Sequence, residues 1–154
     1  MKQIYPEIET LLPHRQPMIL LNRVITHDAS FIVCELDVTP ESFLFESEIN
    51  GVPAQVGLEY MAQTIATLGG LEAANVGEKP PIGFLLGTRR YQHIGGCFAN
   101  GQTYQIQAKE LVRDDNMAVY QCEIIGEDQS IIALGQVNTV IASDTMLKAM
   151  TNND

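Results

Sequence analysis

Tryptophan is absent from these 154 residues, cysteine occurs three times, and basic side chains are scarce: nine Lys and Arg stand against nineteen Asp and Glu, a formal net charge of −10. A surface that acidic repels phosphate backbones and anionic headgroups, which excludes nucleic-acid binding as a general mode of action. Cys34, Cys97 and Cys122 are odd in number, far apart and without CxxC spacing. They form neither a disulfide framework nor a zinc site, and are expected as reduced thiols in a cytoplasmic protein. Long apolar runs are missing too. Residues 18–21 and 84–86 are strand-sized, far below the ~20 residues needed to cross a bilayer, and Glu7 and Glu9 break the segment where a signal peptide needs an apolar core. HExxH, P-loop, GxGxxG and GxSxG frames are all lacking, so no metal, nucleotide or flavin cofactor is expected.

What remains is 45% hydrophobic and 18% charged, a composition that predicts a single folded domain over residues 1–154. Ile4, Ile8, Leu11 and Leu12 have helical spacing, which places an N-terminal helix of at most two turns within about residues 1–12, stopped by Pro13. Residues 18–27 and 30–38 read as two antiparallel strands with a turn at Asp28 and Ala29. Residues 38–52, with Pro40, Asn50 and Gly51, read as an irregular connection. The long segment that follows is rich in helix formers, opens at Pro53 and predicts the central helix over about residues 53–72. Four further strands are expected over 82–92, 102–112, 117–125 and 130–142, separated by turns at 93–101, 113–116 and 126–129, and the tail over 143–154 should fray. The order ββαββββ predicts an α+β fold in which a six-stranded antiparallel sheet curls round one apolar helix. Open sheet edges make a symmetric homodimer the default assembly.

Between Val52 and Leu71 the helix carries one charged residue, Glu59, with Gln55 and Gln63 four residues to either side. Positions four apart share a face, so these three form a polar seam. A carboxylate in so apolar a helix is costly unless paired or protonated, which marks Glu59 as a catalytic candidate; the competing reading is a side chain that reaches solvent along the seam. His14 lies between Pro13 and Pro17 in a stiff extended segment, a second candidate. His93 opens a glycine loop and is a weaker candidate, while His27 beside Asp28 is expected at the surface.

Two stretches carry a family resemblance. Residues 11–24, LLPHRQPMILLNRV, are similar to the N-terminal signature of the bacterial 3-hydroxyacyl-acyl-carrier-protein dehydratases, and residues 58–63, LEYMAQ, resemble the segment of their central helix that holds the catalytic carboxylate. The pattern of the whole chain is most similar to the dehydratase-like hotdog proteins encoded with aryl polyene pigment synthesis. The resemblance implies a hotdog fold and assigns the catalytic carboxylate to Glu59. The histidine that the typical enzymes carry about fourteen residues before that glutamate has no counterpart: Phe45 falls there, and no histidine lies between His27 and His93.

Dehydration removes a proton from C2 and expels hydroxide from C3, so it needs a base, an acid and donors for the developing enolate oxygen. On this reading Glu59 protonates the leaving hydroxyl, helix N-terminal N–H groups at Gln55, Val56 and Gly57 polarise the thioester carbonyl, and His14 fills the vacant role of base. Gln63 and Phe84 are expected along the acyl path. An acidic carrier protein needs positive groups to dock, and Arg15, Lys79, Arg89 and Arg90 are the candidates. Three readings of function stand side by side. They are dehydration of 3-hydroxyacyl chains on an acyl carrier protein in fatty acid or aryl polyene synthesis, a non-catalytic acyl-binding hotdog subunit that pairs with an active dehydratase as a heterodimer, and acyl-thioester hydrolysis.

Overall fold

The computed structural model describes residues 4–141, apart from the side chains of Phe84, Leu85, Leu86 and Arg89; the tail over 143–154 lies outside the described residues. Six strands form one antiparallel sheet: β1 (Arg23–Asp28), β2 (Phe31–Asp37), β4 (Gly83–His93), β6 (Thr103–Asp114), β7 (Met117–Ile125) and β8 (Ile131–Ile141), in the spatial order β1-β2-β6-β7-β8-β4. Two short strands, β3 (Gly51–Pro53) and β5 (Cys97–Ala99), pair with each other. They lie in segments expected to be an irregular connection and a glycine turn. Three residues each are too few to show a period of two, so only their pairing reveals them.

Period-two alternation sets the two faces of the sheet. Tyr104, Ile106 and Ala108 of β6, Tyr120, Cys122 and Ile124 of β7, and Ala133 and Val137 of β8 are buried on the inner face. Gln105, Gln107, Gln121, Glu123 and Gln136 alternate with them and are half-buried on the other. Against the inner face lies the one long helix among the described residues, α1 (Gly57–Asn75). Tyr60, Met61, Leu68 and Leu71 of α1 are buried there, and each such side chain stabilises the fold by about 1.5–3 kcal/mol. Phe98 sits edge-on to both Tyr60 and Tyr104, with ring centroids 5.1 and 5.2 Å away. Thr64 and Thr67 are fully buried, and their hydroxyls donate to the carbonyls of Tyr60 and Gln63 at 2.8 Å, which satisfies both side chains within the helix.

The helix is shifted from its expected bounds of 53–72. Pro53 belongs to β3, and a turn of 3-10 helix over Ala54–Val56 precedes α1. At the other end Gly77, at φ +72°, donates from its N–H to Ala74 while Glu78 donates to Ala73. That pair of reversed bonds terminates a helix, and a glycine supports the left-handed geometry at no steric cost. The expected N-terminal helix is a single 3-10 turn over Ile8–Thr10.

Strand β1 begins at Arg23 rather than at 18, because residues 11–20 are held across α1 as a strap. A Cβ on Gly70 would lie 1.9 Å from the carbonyl oxygen of Leu11, so glycine alone lets the strap cross so closely. Farther along, the Gln63 side chain accepts from the N–H of Leu20 at 2.9 Å and donates to the carbonyl of Met18. Gln63 is 3% exposed, and those two bonds satisfy an amide that is otherwise buried at a cost.

Candidate active site

His14 lies on the strap between those two anchors and is half-buried. It lines a cavity of about 180 Å³ together with Glu59, and the same walls include Ala62, Gln63, Ala66 and Gly69 of α1, Pro81, and Met117, Val140 and Ile141 of the sheet. Two candidates separated by 45 positions of sequence thus face one apolar cleft. The Nδ1 atom of His14 is buried with no hydrogen-bond partner among the described residues. Buried polar atoms are rarely left so, which singles out His14 among the residues of the cavity wall.

The setting of Glu59 is that of the competing reading, a side chain that reaches solvent, so no burial cost marks its carboxylate. The helix was expected to be enclosed throughout, yet Glu59 is exposed on the first turn of α1. The polar seam splits accordingly: Gln55 is exposed, Glu59 opens onto the cavity, and Gln63 is consumed by the strap. Glu59 is thus both a wall residue of the cavity and open to water.

Of the backbone donors expected near the helix start, Gly57 is covered. The Tyr91 hydroxyl donates to the carbonyl of Ala54 at 2.5 Å, and a Cβ on Gly57 would lie 2.0 Å from that hydroxyl and 2.9 Å from the Phe98 ring. Burial pushes the Tyr91 phenol up to about 12, so it stays a neutral donor. A register shift between Arg89 and Gln92, with Arg90 at φ +57°, turns Tyr91 onto the helix start. Val56 is buried, Gln55 is exposed, and neither lines the cavity; the backbone of Phe84 lies in β4 and its side chain is outside the described residues.

The other histidines lie elsewhere. His27 is within β1 and half-buried rather than at the surface, its Nδ1 2.9 Å from the Tyr5 hydroxyl, which also accepts from the His27 N–H. His93 bonds through Nδ1 to the Gly95 carbonyl at 2.7 Å and stands edge-on to Phe98. Among the docking candidates Arg15, Lys79 and Arg90 are exposed, and the Arg89 side chain is outside the described residues. No group of three or more His, Cys, Asp or Glu side chains among the described residues could hold a metal. Cys34 and Cys122 are fully buried, which pushes both thiols up to about 12 and leaves them unreactive.

Sequence reasoning missed the far end of the cleft, where Glu72, Arg113, Asn116 and Tyr120 stand. Arg113 donates to Glu110 at 2.6 Å and to the Tyr120 hydroxyl at 3.3 Å. By sequence Arg113 and Asn116 belong to a hairpin turn, and nothing in their local spacing says that the hairpin reaches back over α1.

The ApeP-like family model, described as ApeP dehydratase, matches residues 6–151. A 3-hydroxyacyl-[acyl-carrier-protein] dehydratase FabZ of Latilactobacillus sakei is 37% identical over 62 residues, 38% of this chain and 44% of that enzyme, so the match spans less than half of the relative. Among solved structures, the dehydratase heterocomplex ApeI:P from Xenorhabdus doucetiae is similar over 97% of this chain and 100% of the matched one, with a TM-score of 0.89 and 27% identity. The E. coli PaaI protein from the phenylacetic acid degradation operon covers 78% of each chain at a TM-score of 0.61 and 16% identity, a likeness of fold alone. The fold is the α+β hotdog, with one long helix against a large antiparallel sheet.

Proposed function

This chain belongs to the ApeP-like dehydratase family, and from that membership we propose that it removes water from 3-hydroxyacyl thioesters delivered by an acyl carrier protein, giving 2-enoyl thioesters for fatty acid or aryl polyene synthesis. The observation that carries the reading is the shared cleft: His14, with an unpaired Nδ1, and Glu59 line one apolar cavity. The His14 imidazole takes the C2 proton, the electron pair of that C–H bond becomes the C2=C3 double bond, and the C3 hydroxyl departs as water with a proton from Glu59. The apolar walls at Ala62, Ala66 and Val140 hold the acyl chain and exclude water from the reacting carbons.

Assembly supports a second component of the reading. Strands β1 and β4 end the six-stranded sheet, and the similar structure from Xenorhabdus doucetiae is a heterocomplex. We place a second hotdog chain, a copy of this one or a related dehydratase, along an open sheet edge, with Arg15, Lys79 and Arg90 available to an acidic carrier protein.

The test is incubation of the full chain, alone and with a related hotdog dehydratase, with 3-hydroxyacyl carrier-protein thioesters, read by intact mass. Loss of one water supports the reading. Release of the free acid would assign hydrolysis instead, and an unchanged mass in both mixtures would refute catalysis.

A further inference from the structure

We infer that the cleft along α1 measures acyl length, with Gly69 as the position that sets how far a chain reaches and Glu72 as the point where the apolar path ends. The inference rests on the acyl reading of the cleft, and it names the substrate class as linear acyl chains with an apolar far end. From Glu59 to Glu72 is thirteen residues of helix, or about 20 Å at ~1.5 Å each. Along that length the helix contributes Ala62, Ala66 and Gly69, all half-buried, to a cleft whose other walls include Met117, Val140 and Ile141. Gly69 and Pro81 are neighbouring walls: a Cβ on Gly69 would already lie 3.3 Å from Cγ of Pro81, so a longer side chain there has to extend into the cleft. A larger side chain at 69 therefore occupies the space that a chain must cross to go farther.

Beyond Gly69 the surroundings change from apolar to charged. Arg113 is already bonded to Glu110 and Tyr120, and Glu72 adds a second carboxylate near it. A methyl terminus driven past this point strips water from these groups and returns no hydrogen bond. A terminal carboxylate is disfavoured as well, since two carboxylates face one guanidinium that is already engaged. The length cut-off thus follows from where the polar cluster stands on α1.

The probe is a series of saturated acyl-pantetheine thioesters of increasing length, titrated calorimetrically into the full chain; lacking a 3-hydroxyl, they cannot be dehydrated, and intact mass of the ligand after titration checks that the thioester is uncleaved. In the native protein affinity is expected to rise about fourfold per added methylene, then to level off once the chain reaches Glu72. Gly69→Leu should bring the plateau to shorter chains. Ala66→Leu, about 4.5 Å nearer Glu59, should bring it to shorter chains still. Glu72→Leu leaves the Gly69–Pro81 contact untouched and should move the plateau to longer chains. A plateau unchanged in Gly69→Leu and Glu72→Leu, or no dependence on length in the native protein, would overturn the inference. If the length series holds and no water is lost from the 3-hydroxy substrates, the proposed reaction falls and the ruler stands.

Discussion

Replacing Gln63 by leucine tests how the strap holds His14 in place. The amide makes two bonds, accepting from Leu20 N–H at 2.9 Å and donating to the Met18 carbonyl. Leucine fills a similar volume and supplies neither bond, so two part-buried backbone groups lose their partners. Each unsatisfied buried group costs about 1–3 kcal/mol, and part-burial puts these two in the lower half of that range, for a total of about 3 kcal/mol. In a domain of this size 1 kcal/mol moves the melting midpoint by about 2–4 °C, so Gln63→Leu should melt about 6–12 °C lower by circular dichroism at fixed protein concentration. Gln55→Ala is the control: Gln55 is exposed, and its loss should stay within about 0.5 kcal/mol of the native protein. Because His14 lies between the Gly70 and Gln63 anchors, turnover should fall in Gln63→Leu even where the fold is fully populated. A midpoint within about 1 °C of the native value would refute the reasoning, since the strap would then be held by something other than Gln63.

At the other anchor, Gly70→Ala places a Cβ on the Leu11 carbonyl and should cost about 1–3 kcal/mol in urea unfolding, with the strap displaced. Acid stability has a local source where Arg23 pairs with Glu35 and Asp37 across β1 and β2. Burial opposes ionisation of Asp37, but its bonds to Arg23 and Thr103 outweigh that and hold the carboxyl below its ordinary range. A carboxyl lowered on folding contributes stability above the unfolded value of about 3.9 and loses it as pH falls through the folded value. The stability gap between the native protein and Asp37→Asn, followed by urea unfolding across pH, should therefore be present at neutral pH and close below about pH 4. The thiols divide as well. Iodoacetamide at neutral pH should label Cys97, which is half-buried, and spare Cys34 and Cys122 until the protein unfolds, as peptide mass mapping would show.

The large elements were legible because their signals are local. Strand β7 shows four buried positions in strict alternation, and its expected bounds and its observed bounds are both 117–125. The central helix was legible from its composition, although its C-terminus was placed too early; the signal that stops it is Gly77, five residues past the predicted end. The strap was not legible. Residues 18–21 read as strand because they are apolar, and what lifts them off the sheet is Gln63, some 45 positions away. For the same reason the fate of the polar seam was beyond local reading, since its spacing shows that three residues share a face without showing that one is tied up by backbone. Glu59 was recognisable as the lone charge in an apolar segment, but its exposure depends on where the sheet closes over the first turn of α1. The far end of the cleft, from Glu72 to Arg113, is built by a long-range approach for which the sequence carries no periodic mark.

The central claim is that His14 and Glu59 act as a pair on one substrate, and a double-mutant cycle on dehydration tests it most directly. Turnover of a 3-hydroxyacyl carrier-protein thioester, followed by loss of one water in the intact mass, is compared in the native protein, His14→Asn, Glu59→Gln and the double variant, each assembled with whatever hotdog partner the native protein needs. Each single change should lower turnover by about 100-fold or more. The double variant should be no slower than the slower single, because residues that act as a unit lose their contribution once. Turnover at the native rate in His14→Asn, with Glu59→Gln inactive, would contradict the account and leave the base to be found outside this cleft.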